Sequence, residues 1–478
     1  MHIVRRLILA TLLAAGGLPA AADAPTADAA APAAFCALPT AGTTLVTNTW
    51  TGSAGDGLWA TGANWSLGRP PGNNDTATGY VCIGGTASVT IGDGISAEIQ
   101  MLDLDAGATL RLTPGGRLFV YGPMASRPSF LRHGSTTINQ GALGGPGLIN
   151  VDGIMRWTSG TYAAALGSRR CFFLPASNPA SCIGTVPATP GLMVVGNTGM
   201  VDVNGKGVNF YDDYRMTVRG LLKLSGTGAY VAANHGTILT LSPKAGTTGV
   251  GVFQIANNGG WYEGNPRPAA PDALGQVINN GRIWKSGGTG MSQVIGTYSG
   301  TGTAQVSSGT LILPEGTTAT SRVAPARAYG FGYCPYTNSL TCTPDTNQDH
   351  PQAAKVRLPG SLSGAKALRV QQDGHVSGAI GTVVLVKALT AFTMTRTDPA
   401  VLTFRFDSLI ANGKTDKTIT IKTAPDGSAT FTVVPNCLAG GAIPTPATAC
   451  VDRSAGSTSG GDVTVVVRTM HFSRWHAT

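Results

Sequence analysis

The residues best suited to acid–base chemistry lie in three separate places. Asp212 and Asp213 are neighbouring carboxylates, His235 follows within Asn234-His235-Gly236, and Arg282 and Lys285 bracket Gly281-Arg282-Ile283-Trp284-Lys285. Two carboxylates can hydrolyse a glycosidic bond as acid and base, and inversion needs them about 6.5 to 9.5 Å apart to admit a water. The plainer reading makes Tyr211-Asp212-Asp213-Tyr214-Arg215 a solvated turn with a local Asp-Arg pair, and Arg282 and Lys285 an exposed strand face. Hydrolysis demands convergence of distant segments; the plainer reading does not. A second constellation is aromatic. Tyr211, Tyr214, Trp261 and Tyr262 would bind a sugar as a ladder of rings if they shared one exposed face.

Other chemistries find less support. A lyase would need clustered calcium-binding acids and a poised base, whereas Asp103, Asp105 and Asp152 are spread over different segments. Neither a Gly-x-Ser-x-Gly elbow, a His-Glu-x-x-His pair nor a phosphate loop is present, and His133, His350, His375, His471 and His476 stand without an Asp or Cys motif. The sequence therefore leads us to expect no cofactor and no metal.

Eight cysteines fall as four neighbouring couples: Cys36 with Cys82, Cys171 with Cys182, Cys334 with Cys342, and Cys437 with Cys450. Local disulfides are expected, because no C-x-x-C or ligand-spaced histidine favours zinc. Disulfides imply an oxidising compartment. The amino terminus agrees, with Arg5 and Arg6 before the apolar run Leu7 to Leu13 and small residues through Ala24. Such an order reads as a secretory signal, with cleavage expected after Ala22, and the apolar run is too short to span a membrane. Residues 1–22 hold two arginines and no acid, so their removal lowers the net charge from +9 to +7. The remaining charge is diffuse. No basic run of five or six residues supports a nucleic-acid partner, and no later segment is apolar enough to be a transmembrane helix.

Positioning these residues falls to short strands. Among 478 residues, 66 are Gly and 29 Pro, and only 12% are charged, against roughly 25% in an ordinary soluble domain. From about residue 85 to 316 a Gly, a variable residue and an apolar-variable-apolar triplet return repeatedly, as in Gly116-Arg-Leu-Phe-Val120, Gly199-Met-Val-Asp-Val203, Gly220-Leu-Leu-Lys-Leu224 and Gly309-Thr-Leu-Ile-Leu313. Period-two alternation predicts strands with one row of side chains inward. Two architectures accommodate them, an antiparallel sandwich and a parallel β-solenoid. Leu104, Leu112 and Val120 recur every eight residues, as three sides of one coil would, which favours the solenoid.

Gly144 to Tyr162 and Asn279 to Pro314 resemble the Gly-rich repeats of exported bacterial right-handed β-helix proteins, including autotransporter-like and adhesin-like passengers. The stretch from Trp50 through Trp59 and Asn64-Trp65-Ser66 to Gly72 and Asp75 is similar to their entry segment. That likeness implies that Trp50, Trp59 and Trp65 cover the open end of a core, in preference to forming a sugar-stacking platform. Resemblance to hydrolytic β-helix proteins of the polygalacturonase kind would assign Asp212, Asp213 and His235 to catalysis, with Arg282 and Lys285 gripping an acidic sugar. Asn234 before the histidine and Trp284 inside the Arg-Ile-Lys unit depart from that pattern, and its upstream Asn-Thr-Asp is absent.

Beyond Ser321 the composition shifts. Thr382 to Val386, Val401 to Phe406, Thr418 to Ile421, Thr430 to Val434 and Val463 to Arg468 alternate with turns such as Asn412-Gly413, predicting an antiparallel β-sandwich. The segments around Thr397 to Asp407, Cys437 to Cys450 and Gly461 to Trp475 resemble a terminal module of secreted actinobacterial proteins. The expected organisation is all-β: signal peptide 1–22, linker 23–45, N-terminal cap 46–84, right-handed parallel β-solenoid 85–320, and antiparallel β-sandwich 321–478. The expected function is that of a secreted, non-catalytic surface or matrix protein, adhesive or in contact with wall or extracellular polysaccharide. The polygalacturonase-like hydrolase is the alternative.

Overall fold

The glycine-led triplets become strands whose alternate residues face a common interior. Leu221–Leu224 is representative: Leu222 and Leu224 are buried, while Leu221 and Lys223 face outward. The computed structural model describes Cys36 and residues 46–72, 79–122, 129–131, 134–139, 141–158, 164–167, 170–172, 181–183, 190–211, 213–233, 236–263, 275–314, 317, 319–332 and 352–478.

From Tyr80–Ile83 to Thr297–Ser299 the strands that stack on one another pair in parallel and successive strands visit three sheets in turn, interrupted by the antiparallel pair Arg170–Phe172 and Ser181–Ile183. From Thr303–Val306 to Ala328–Phe331 parallel stacking continues on the second and third sheets alone. Tyr80–Ile83 lies in the first sheet, Ser88–Ile91 in the second and Ser96–Ile99 in the third; Met101–Leu104, Thr109–Leu112 and Arg117–Val120 then stack on them in the same order. The eight-residue recurrence thus places Leu104, Leu112 and Val120 on three different sheets, all pointing into one apolar core. Burial of each such aliphatic side chain contributes roughly 1.5–3 kcal/mol before chain entropy is charged against it.

The glycine of the triplet has a steric cause. A Cβ at Gly220 would stand 2.2 Å from the carbonyl oxygen of Gly199, and one at Gly281 would stand 2.2 Å from that of Gly251. These glycines occupy the corner leading into the second sheet, where Leu221 N donates to Gly199 O and Arg282 N to Gly251 O. Only a residue without a side chain lets successive corners approach so closely.

Ahead of these strands in the chain, Thr47–Thr49 pairs in parallel with Tyr80–Ile83, and Leu58 forms a parallel bridge to Thr90 on the edge strand Ser88–Ile91. Trp65 packs edge-on against both Trp50 and Trp59, while Trp59 and Trp65 are buried and donate their indole N–H groups to Pro71 O and Trp59 O. Rings so enclosed extend the core and offer no platform to a sugar. Cys36 and Cys82 form a disulfide that packs with Tyr80 and Met101.

After Phe331 the pairing changes direction while two of the sheets continue. Lys366–Gln372 adds antiparallel to Thr320–Val323 and Gln352–Arg357 adds antiparallel to Ala328–Phe331, so second and third sheets run on through Ile380–Ala388 and Ala400–Phe406. Ile421–Ala424, Asp462–Thr469 and Arg474–Ala477 complete the principal antiparallel pairings. The strand expected at Thr418 to Ile421 begins at Ile421, because Thr415 and Thr418 form a local turn and Arg453 binds the carbonyls of Asp416 and Ile419. Cys437 and Cys450 form a disulfide. Cys171 and Cys182 are backbone register partners in an antiparallel pair, and Cys334 and Cys342 lie outside the described residues. Among the described residues, no helix is long and apolar enough to cross a membrane.

Candidate functional site

Of the residues proposed for hydrolysis, the structure describes Asp213, Arg282 and Lys285. Asp212 and His235 lie outside the described residues. Asp213 is exposed in a left-handed turn, with φ of 57°, between a third-sheet strand, Val208–Tyr211, and a first-sheet strand, Arg215–Val218. Arg282 and Lys285 belong to the second sheet, on strand Arg282–Lys285. They point to opposite sides of it. Arg282 faces outward beside Trp284, whereas Lys285 faces inward beside Ile283, in register between Ile255 and Val306. Two residues three apart on a strand cannot grip one sugar from the same side.

Lys285 therefore corrects the reading of an exposed basic face. Its side chain is fully buried, and its amine reaches the end of the aliphatic column to donate to the carbonyls of Asn257, Gly287 and Gly288, with Asn258 Oδ1 at 3.5 Å. Burial pulls the amine down to about 8, while the carbonyl acceptors favour its charged form. The arrangement ties two consecutive corners together. The proposed aromatic ladder is dispersed as well. Tyr214 and Trp261 are both 0% exposed, Phe210 packs against each of them, and Tyr262 is half-buried beside Tyr230. Tyr211 belongs to a described strand whose backbone alone is placed. Tyr214 and Trp261 turn inward because each is an apolar ring at the parity of the core positions.

What the outward positions do assemble is a basic column. On the second sheet, Thr90 is in register with Arg111, Arg111 with Thr137, Thr137 with Arg156, and Arg156 with Asp202. Asp202 is followed by Lys223, Gln254, Trp284, Gln305 and Arg322. Arg282 joins the column because its guanidinium lies over the Trp284 ring, 5.0 Å from the centroid, while Nη1 donates to Gln305 Oε1. Arg111 and Arg322 are exposed, and Arg156, Lys223 and Arg282 are half-buried. Among the described residues no carboxylate forms an ion pair with Arg111, Arg156, Lys223 or Arg322. Asp202, the one acid in the column, is occupied by the hydroxyl of Ser225.

Beside this column runs a half-exposed aliphatic one, Ile154, Met200, Leu221 and Val252, which leads to Arg282. The first-sheet column at the same strand position as Arg156 and Lys223 reads Asn150, Val194, Thr217, Thr240, Ile278 and Ser299, without a charge. The second sheet is thus a flat, amphipathic and cationic face. Sequence reasoning missed it, although strand parity alone marks Arg111, Arg156, Lys223 and Trp284 as outward. In comparisons with known proteins, the chain matches no family model, no curated protein and no solved structure.

Proposed function

We propose that this chain is an exported, capped right-handed parallel β-solenoid continued by an antiparallel β-sandwich, a non-catalytic surface or matrix protein of the adhesin-like kind that contacts wall or extracellular polysaccharide. The observation that carries this reading is the outward face of the second sheet. Ten parallel strands at about 4.8 Å spacing give it a length of roughly 40 Å. A face of that form suits an extended polymer lying along the stack better than a small molecule that needs a pocket. The disulfides are compatible with an oxidising compartment. Arg282 and Lys285, on opposite sides of their strand, do not share the grip on a sugar that the hydrolase reading asks of them.

Screening the secreted protein on a glycan array, together with a polysaccharide-turnover assay, tests the proposal. Retention of one or more polysaccharides without release of reducing ends is the expected result. Release of reducing ends that disappears in Asp213→Ala would replace it with the hydrolase.

A further inference from the structure

We infer that the outward face of the second sheet binds a linear anionic polysaccharide that carries one carboxylate per disaccharide, laid parallel to the stack of strands. The inference rests on the polysaccharide-contact reading above and deepens it. Its basis is a spacing that the register creates. Arg111, Arg156, Lys223, Arg282 and Arg322 occupy every second strand of the sheet, and Thr137, Asp202, Gln254 and Gln305 occupy the strands between.

Two strand spacings are about 9.5 Å. That length is comparable to the disaccharide repeat of an extended chain in which successive sugars are flipped, so that like groups return to the same side at every second sugar. A carboxylate at each repeat would meet a cation at each second strand. The intervening Thr and Gln side chains offer hydrogen bonds to hydroxyls, and the aliphatic column Ile154, Met200, Leu221 and Val252 offers contact to the apolar edges of the rings. Trp284, half-exposed with its Nε1 donating to Ser307 Oγ, presents the aromatic surface of the face. Arg111, Arg156, Lys223 and Arg322 form no ion pair among the described residues, so an incoming carboxylate need displace none there.

The test measures affinity of the full chain for three probes: hyaluronan, with one carboxylate per disaccharide; polygalacturonate, with one per sugar; and an uncharged β-1,4-glucan. Duplex DNA is the competitor. The expected order puts hyaluronan first, because attraction by charge alone would favour the denser polygalacturonate. Arg156→Gln/Lys223→Gln should weaken hyaluronan binding about tenfold, whereas Arg357→Gln/Lys414→Gln, an equal charge change away from the column, should not. Thermal unfolding of both variants verifies that they remain folded. Equal losses in the two variants, polygalacturonate bound as tightly as hyaluronan, or DNA displacing hyaluronan at equal charge concentration would each overturn the inference. Binding of the neutral glucan unaffected by Arg156→Gln/Lys223→Gln would overturn it while leaving polysaccharide contact standing. If no polysaccharide is retained on the array or here, the broader proposal falls with it.

Discussion

The cations of the antiparallel strands and those of the parallel second sheet differ in what they face. In the carboxy-terminal region Arg405 pairs with Asp462, Arg468 with Asp452, and Arg474 with Asp373, and Asp462 and Asp452 have side chains only 6% and 3% exposed. On the parallel sheet Arg111, Arg156, Lys223 and Arg322 stand in a line without such partners among the described residues. Antiparallel pairing brings segments from far along the chain into register, so that Arg405 and Asp462, on Ala400–Phe406 and Asp462–Thr469, meet at one end of their pair. In the parallel sheet the register neighbours of these cations are Thr137, Asp202, Gln254 and Gln305, and the one acid among them accepts from the Ser225 hydroxyl instead of forming an ion pair. The first kind of cation holds the fold; the second is available to something outside it.

The contrast is broken or sharpened by experiments of decreasing effect. Arg405→Leu leaves Asp462 buried without its guanidinium and should cost about 3 kcal/mol in urea unfolding. A loss below about 1 kcal/mol would mean that the antiparallel pairs matter no more than surface charges.

Lys285 is the exception within the parallel region, a cation turned inward. With its folded value near 8 against 10.5 when free, the folded state holds fewer protons than the unfolded state between those values. Stability attributable to Lys285 should therefore rise from pH 8 to about 10.5, by up to roughly 3 kcal/mol. Comparing melts of wild type and Lys285→Met across that window isolates it. A difference independent of pH would show that the carbonyl acceptors keep the amine charged throughout.

Tyr214→Phe removes a buried hydroxyl that finds no hydrogen-bond partner among the described residues, and should stabilise the chain by about 1 kcal/mol. The smallest effect is expected on the column itself. Arg156→Gln and Lys223→Gln should each change stability by no more than about 0.5 kcal/mol, measured by the same unfolding curves. A cost near that of Arg405→Leu would erase the distinction between the two regions.

Strand identity was legible from local pattern, because burial of alternate residues and the exclusion of a side chain at corners such as Gly220 and Gly281 act over a few residues. The same parity separates Arg282 from Lys285, although the basic residues read alone suggest one exposed patch. It also gives Tyr214 and Trp261 to the core, where exposed rings were expected. The site was less legible than the fold. Arg111, Arg156, Lys223, Arg282 and Arg322 lie 45, 67, 59 and 40 residues apart, an irregular series that shows no period along the chain.

From its amino acids alone the chain settled that it forms short strands with a small-residue corner and an aliphatic inner row, since each of those choices is made by neighbours in sequence. Only the tertiary structure decided which outward residues stand side by side. Loops of unequal length are absorbed at the corners while hydrogen bonding holds each strand in register with the one beneath it. Register therefore converts uneven spacing along the backbone into an even ladder of charge in space.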